Sequence, residues 1–186
     1  IRKTIEASDY PIEKVDRRIS SRTLHYIEWC EKIRENIYRW LRPGGNRLFS
    51  VEYPVFTAYG TQEWIYDDKG EKACWPDDNY FYEGKREALF LGEKVVKYHR
   101  TLTTYLKCLL RQGFTIKDVI EPQPAPDMIK EHPCLKEEFR RPMMLLISAV
   151  KLSITWFHRY GILHPKDDNR SRYTWIHTSH NTRYDP

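Results

Sequence analysis

Hydrophobic positions in the first third of the chain change from a helical period to a strand period. Residues 24–41 show the 3.6-residue spacing of a helix that packs one face against a core. The side chains near that face are Tyr26, Ile33, Ile37, Trp40 and Leu41. The sequence Arg42-Pro43-Gly44-Gly45 predicts the end of this helix, because proline and glycine interrupt helical structure. The apolar run at 47–52 predicts a short buried strand that breaks at Tyr53-Pro54.

The rest of the chain repeats this order of helices and strands, with longer connections between them. We predict a second helix over 95–112, a strand over 114–120 and a last sheet strand over 143–150. A short helix is predicted within 127–140. An Asp-Lys-Gly turn at 67–70 lies between aromatic-rich runs and predicts a small β-hairpin. Alternating helices and strands of this kind indicate an α/β fold.

Length and composition favour one globular domain. The chain has 186 residues, of which 40% are hydrophobic, and this is enough for one sizeable core. We place the domain at 1–151 and leave 152–186, which shows no clear period, as an unassigned tail. The first residue is isoleucine, so we expect a fragment of a longer reading frame. The sequence shows neither a bilayer-spanning apolar run nor a signal-peptide pattern, and we expect a cytoplasmic protein without a membrane partner.

Charge and cysteine content change this picture little. The formal net charge of +5 comes from 31 basic and 26 acidic residues spread along the chain, which permits contact with nucleic acid without indicating it. The four cysteines form no Cys-x-x-Cys pair, so we predict free thiols and no zinc or dithiol motif. The histidines of the tail have no carboxylate or cysteine companions at fixed spacing, and we expect no metal site.

Three segments together resemble the C-terminal half of a class I S-adenosylmethionine-dependent methyltransferase of the type 11-like group. They are the helix-to-strand unit at 24–52, the run at 95–102 and the last strand at 141–149. The resemblance covers roughly residues 20–151. It implies a Rossmann-like sheet that is incomplete, because the N-terminal cofactor-binding strands are missing. It also implies methyl transfer from S-adenosylmethionine to a small-molecule substrate.

The resemblance places ligand-binding residues at the ends of two strands. In such enzymes the segment after the fourth strand approaches the methionine part of the cofactor, which implies cofactor contacts for Ser21, Leu24 and His25. The fifth strand ends here in Glu52-Tyr53, with tyrosine where the family usually has histidine, and this implies a substrate site. The alternatives are a helix-start His25 without a ligand, and a Glu52 that only accepts a backbone hydrogen bond.

The remaining predicted substrate contacts lie on the second helix and on an aromatic insert. His99 and Arg100 are predicted to bind an anionic or polar group, since a guanidinium pairs with carboxylate or phosphate. The alternative is that both are surface residues on a helix. Tyr82 belongs to an aromatic set that would cover the substrate, although aromatic residues at such density more often serve ordinary packing. The other members of this set are Trp64, Trp75, Tyr80 and Phe81.

Two further features of the sequence bear on activity. The segment 15–21 takes the place of the family's fourth strand, but Arg17 and Arg18 are costly inside a sheet that is buried on both faces. None of the eight glycines stands in the strand–Gly-x-Gly–helix context of the family's cofactor loop. We predict that this chain alone binds S-adenosylmethionine weakly and does not turn over.

Two non-enzymatic functions stay open beside the methyltransferase. One is an interaction module whose exposed sheet edge pairs with a partner that carries the missing half. The other is a basic nucleic-acid-binding protein, whose affinity would depend strongly on salt. No catalytic acid or base is predicted, because the sulfonium of the cofactor is already activated and the protein mainly positions the reactants.

Overall fold

The computed structural model describes residues 8, 10–28 and 31–152. The predicted tail lies almost entirely outside the described residues, so the division into a domain and a tail stays a prediction. Within this part of the chain, no helix has both the length and the apolar character needed to cross a bilayer.

The described residues alternate between strands and helices. The strands are β1 (Val15–Ser21), β2 (Leu41–Glu52), β3 (Ile65–Tyr66), β4 (Lys72–Cys74), β5 (Gly84–Phe90), β6 (Glu93–His99), β7 (Phe114–Ile120) and β8 (Met144–Lys151). The α-helices are α1 (Glu31–Trp40), α2 (Pro54–Ala58), α3 (Leu102–Arg111) and α4 (Pro126–Glu131). Two 3₁₀ segments complete the list, at Leu24–Tyr26 and Pro133–Arg140.

A mixed four-stranded sheet in the order β1-β2-β8-β7 organises the fold. Strands β1 and β2 are parallel, whereas β8 is antiparallel to both β2 and β7. Strands β3 with β4 and β5 with β6 form two separate hairpins. The predicted α/β fold is confirmed, as are the last two sheet strands and the hairpin around the Asp-Lys-Gly turn.

One face of this sheet carries the core. On β8 every second side chain is buried, and Leu145, Ile147 and Ala149 pack against buried side chains of β2 and α3. The partners from these elements are Phe49, Val51, Tyr105 and Leu109. This alternation places the apolar residues of β2 and β8 on the same side, as the period of two in a strand requires.

The predicted helix over 24–41 is wrong in its first part, whereas its end agrees within one residue. The chain first makes the 3₁₀ turn Leu24–Tyr26, and α1 ends at Trp40, where β2 begins without a connecting loop. The Pro-Gly-Gly sequence belongs to β2, in an irregular stretch where the β1–β2 register shifts. At Gly45 a side chain would meet the Arg42 carbonyl oxygen at 2.8 Å, so the close approach of two backbones explains this glycine.

The predicted helix over 95–112 is wrong in its first part. Residues 95–99 belong to β6, which pairs with β5 through a turn at Leu91-Gly92. Both turn residues have positive φ values, 52° and 84°, which are typical of a tight hairpin. Helix α3 therefore begins at Leu102, with Thr101 as its N-cap, accepting a hydrogen bond from the Thr104 amide.

The arginines of β1 are accommodated because this strand lies at the edge of the described sheet. Arg17 is exposed, and the Arg18 guanidinium lies over the Trp40 ring at 4.6 Å. Neither guanidinium is buried between two layers of the fold. The free-energy cost expected for arginines on a central, fully buried strand therefore does not arise among the described residues.

Arg47 is the most enclosed charge of the sheet. Burial lowers its pKa to about 10, and neither terminal nitrogen of its guanidinium has a hydrogen-bond partner among the described residues. Among the described residues, the rings of Phe49, at 5.0 Å, and Phe114, at 5.8 Å, face the charge. We expect Arg47→Met to raise the free energy of unfolding by about 1–3 kcal/mol, since an uncompensated buried charge is replaced by a flexible apolar side chain. Urea unfolding checks this, and a large loss of stability in Arg47→Met would contradict it.

Candidate functional site

A buried ion pair stands at the carboxyl end of β2. Glu52 is the last residue of this strand, and its Oε1 lies 2.6 Å from Lys97 Nζ of β6. Gln62 closes the group, because its Oε1 accepts from Lys97 Nζ and its Nε2 donates to Glu52 Oε2, both at 2.6 Å. The Lys97 side chain is 1% exposed and that of Glu52 is 11% exposed. The carboxylate is therefore held in place, with a small part of it open to a ligand.

His25 completes this group from the segment that follows β1. Its Nδ1 accepts a hydrogen bond of 3.2 Å from the Glu52 amide, and its Nε2 lies 3.9 Å from Glu52 Oε1. Burial lowers the pKa of His25 to about 4, although the Glu52 charge opposes this shift. A neutral imidazole accepts at Nδ1 and carries its proton on Nε2, so at neutral pH the contact with Glu52 is not an ion pair.

His99 forms a second buried polar group at the end of β6. Its Nε2 lies 2.8 Å from the Tyr80 carbonyl oxygen, which only accepts, so this nitrogen carries a proton. Its Nδ1 lies 2.7 Å from the Thr57 hydroxyl of α2. Burial lowers the pKa of His99, which favours the neutral ring and makes Nδ1 the acceptor for Thr57. These two hydrogen bonds hold α2 and the loop that contains Tyr80 against β6.

Arg100 and its neighbour Thr101 anchor two chain segments near this group. The Arg100 guanidinium donates to the carbonyl oxygens of Leu24 at 3.3 Å and Ile27 at 2.7 Å, and so holds the 3₁₀ turn after β1. Thr101 anchors the segment that contains Glu83. Burial alone would raise the pKa of the Glu83 carboxyl, but hydrogen bonds from Thr104 and Thr101 stabilise the carboxylate more strongly, so its pKa is lowered. The alternative of His99 and Arg100 as surface residues on a helix is wrong, since both are buried and lie at the end of a strand.

The two predicted tyrosines lie in different surroundings. Tyr53 is nearly buried, and burial together with a hydrogen bond to Glu121 raises the pKa of its phenol. Tyr82 is 75% exposed, and its carbonyl oxygen accepts from Arg86. Of the aromatic set, Trp64 and Trp75 contact one another at 5.3 Å, and Tyr80 packs against His99 at 5.8 Å. The aromatic residues therefore do not form a single cover over one site.

The three residues predicted to bind the cofactor differ in accessibility. Leu24 is a fully buried member of the core, and His25 is enclosed beside Glu52. Ser21 is exposed at the end of β1, with its hydroxyl 3.4 Å from that of Ser50. Within the described residues no glycine turn joins a parallel strand to a helix. The cofactor contacts of Ser21, Leu24 and His25 therefore stay predictions.

Lys97 and Gln62 are the site residues that the sequence analysis missed. Lys97 was assigned to a helix, and Gln62 belongs to a loop 10 residues after Glu52. For Lys97 the sequence contains a signal. If residues 93–99 form one strand of a β-hairpin, Lys97 lies on the same face of that strand as His99. We find no local signal for Gln62, whose role depends on how α2 folds back over Glu52.

Comparisons with known proteins bear on the family. No family model matches the chain. An uncharacterised protein of Haemophilus influenzae is 31% identical over 146 residues, which are 78% of this chain and 57% of that protein. The chain thus spans little more than half the length of this relative.

Two solved structures match more of their own length. A candidate S-adenosylmethionine-dependent methyltransferase from Listeria monocytogenes is 49% identical, with a TM-score of 0.76 over 81% of this chain and 68% of that one. An S-adenosylmethionine-dependent methyltransferase from Mesorhizobium loti is 38% identical, with a TM-score of 0.73 and the same coverage of both chains. At this identity and coverage, the chain belongs to the S-adenosylmethionine-dependent methyltransferases.

Proposed function

We propose that this chain supplies the acceptor-binding part of a methyltransferase that transfers a methyl group to a small molecule. The observation that carries the proposal is the Glu52–Lys97 pair at the carboxyl end of β2, enclosed by His25 and Gln62. In parallel α/β sheets, ligands bind beyond the carboxyl ends of the strands. Glu52 lies at that edge, beside the end of β1.

Glu52 is the residue that would bind the acceptor. Its carboxylate is fixed by Lys97 and Gln62, and its remaining accessible surface can accept a hydrogen bond from a substrate amine or hydroxyl. S-adenosylmethionine supplies an activated methyl group, so the contribution of this chain is to orient the acceptor and exclude water. His25, His99 and Arg100 act as positioning residues, since their polar atoms contact other parts of the protein.

We test this function with protein purified from its native cells, so that any natural binding partner is retained. The protein is incubated with methyl-labelled S-adenosylmethionine and a small-molecule extract, and label in the low-mass fraction is counted. We expect the double variant Glu52→Gln with Lys97→Met, which removes both buried charges, to lower incorporation at least about 100-fold, or about 2.7 kcal/mol. Glu93→Gln, an exposed carboxylate on β6, is the matched control and should keep the activity. The proposal would be contradicted if the double variant and Glu93→Gln incorporated equal amounts of label, or if the unchanged protein incorporated none.

The chain by itself is expected to bind S-adenosylmethionine weakly. The predicted cofactor contacts supply only one edge of a cofactor site, so the rest must come from elsewhere in the active protein. Calorimetric titration of the purified chain checks this, and tight binding would overturn it.

A second candidate function is an interaction module, and the face of the sheet that the described residues leave uncovered favours it. Ile19 is 70% exposed, and Leu48 and Ile120 are also open, on the side opposite α3. Uncovered apolar side chains of this kind mark contact surfaces. Native mass spectrometry of the protein from its cells would show a stable partner, whereas a monodisperse monomer would exclude this function.

A further inference from the structure

The open part of the Glu52 side chain lies close to two half-exposed aromatic rings. Phe90 is the last residue of β5, and its ring centre lies 5.5 Å from Lys97 Nζ. The ring centre of Tyr26, in the turn after β1, lies 5.7 Å from the same atom. Lys97 Nζ is itself 2.6 Å from Glu52 Oε1. Tyr26 is 39% exposed and Phe90 is 46% exposed, so both rings can contact a ligand that reaches Glu52.

The Glu52 carboxylate keeps the capacity to accept a further hydrogen bond. An ionised carboxylate offers about four lone-pair sites to donors. Among the described side chains, Lys97 donates to Oε1 and Gln62 donates to Oε2. The Glu52 side chain is 11% exposed, so part of it is accessible from outside. A hydroxyl or N–H group of a ligand can therefore donate to Glu52 without displacing either Lys97 or Gln62.

The charges of this group favour a neutral ligand. The charges of Glu52 and Lys97 balance one another, and burial lowers the pKa of His25 to about 4, so this ring is uncharged at neutral pH. A cationic ligand between the rings would meet the Lys97 ammonium, which both rings already face. An anionic ligand would place its charge against the Glu52 carboxylate. Arg22 also lies near His25, but it is exposed, so water screens its charge.

We propose that this site binds a neutral aromatic acceptor, whose ring packs against Tyr26 and Phe90 and whose hydroxyl or ring N–H donates to Glu52. Contacts between aromatic rings contribute free energy beyond the burial of their area. Tyr26 and Phe90 are then the residues that determine acceptor specificity, and Glu52 orients the bound ring. The inference rests on the proposed function and names the chemical class of its acceptor.

Four related compounds test the chemistry of the ligand. 2-Naphthol is flat and neutral at pH 7 and has one donor, whereas 2-methoxynaphthalene has none. 2-Naphthoate carries a negative charge and 2-naphthylmethylamine a positive one. Their dissociation constants with protein purified from its native cells are measured at pH 7 by equilibrium dialysis, without S-adenosylmethionine. We expect 2-naphthol to bind at least about ten-fold more tightly than each of the others, because the ether loses a hydrogen bond to a charged group and the ions meet like charges. Equal or tighter binding of any other compound, or no binding of 2-naphthol, would overturn the proposal.

Matched variants show where 2-naphthol binds. Phe90→Leu and Tyr26→Leu each remove one ring of the proposed site, and each should weaken binding about three-fold or more. Tyr26→Phe keeps the ring and should bind as the unchanged protein does. Phe139→Leu is the matched control, because it removes a half-exposed ring from the 3₁₀ segment at 133–140, and it should also leave binding unchanged. The same affinity in Phe90→Leu and Phe139→Leu would show that 2-naphthol binds elsewhere, and would overturn the proposal.

Binding and methyl transfer are measured separately, so the inference and the proposed function can fail independently. Binding of 2-naphthol that depends on Tyr26 and Phe90, without transfer of label that depends on Glu52 and Lys97, would contradict the proposed function alone. Transfer of label that depends on Glu52 and Lys97, without selective binding of 2-naphthol, would contradict the neutral aromatic class alone.

Discussion

Replacing Lys97 by methionine is expected to lower the free energy of unfolding by about 3–5 kcal/mol. The Lys97 ammonium lies 2.6 Å from Glu52 Oε1 and is almost completely buried. Methionine fills a similar volume but leaves the Glu52 carboxylate enclosed, with Gln62 as its remaining side-chain donor among the described residues. Removing one partner of a buried pair costs much more than the pair contributes, because the remaining charge stays out of water.

Urea unfolding of three variants measures this effect. Lys94→Met removes an exposed lysine from the same strand, and should change stability by no more than about 0.5 kcal/mol. The double variant Glu52→Gln with Lys97→Met has neither charge, so it should recover most of the loss seen in Lys97→Met. Similar stabilities for Lys97→Met and Lys94→Met would show that Glu52 is not effectively buried.

Acidification from pH 6.5 to about 4 is expected to cost about 3 kcal/mol of stability through His25. Burial lowers the folded-state pKa from 6.5 to about 4. Between these values the unfolded chain binds a proton that the folded chain does not, so falling pH favours unfolding. The contribution is complete above pH 6.5 and is lost as the pH falls to about 4.

The variant His25→Asn isolates this contribution. An asparagine oxygen can accept from the Glu52 amide as Nδ1 does, but asparagine does not titrate. The pKa of His99 is also lowered by burial, so some loss at low pH will remain in the variant. We therefore expect the unfolding free energies of the two proteins to converge as the pH falls. Curves that stay parallel from pH 7 to 4 would contradict the assignment to His25.

The sequence indicated that Glu52 and His25 lie near each other, because residues that follow parallel strands share one edge of a sheet, and the structure brings the two side chains together. Their roles in binding substrate and cofactor stay predictions. The sequence predicted that His99 and Arg100 contact the substrate. In the structure, their side chains form hydrogen bonds with backbone carbonyl oxygens of the protein. The partners Lys97 and Gln62 were missed, because they reach Glu52 across 45 and 10 residues of chain.

The sequence by itself determined the α/β class and the strands β7 and β8, since continuous apolar runs and an alternating pattern are local signals. It also determined the hairpin at the Asp-Lys-Gly turn, whose chemistry is local as well. The tertiary structure alone decided that residues 42–45 belong to β2 and that residues 95–99 form a strand, because pairing with β1 and β5 outweighs the local signals. It also decided which polar side chains are buried together, since a charge such as that of Lys97 is stable inside only when distant parts of the chain supply its partners.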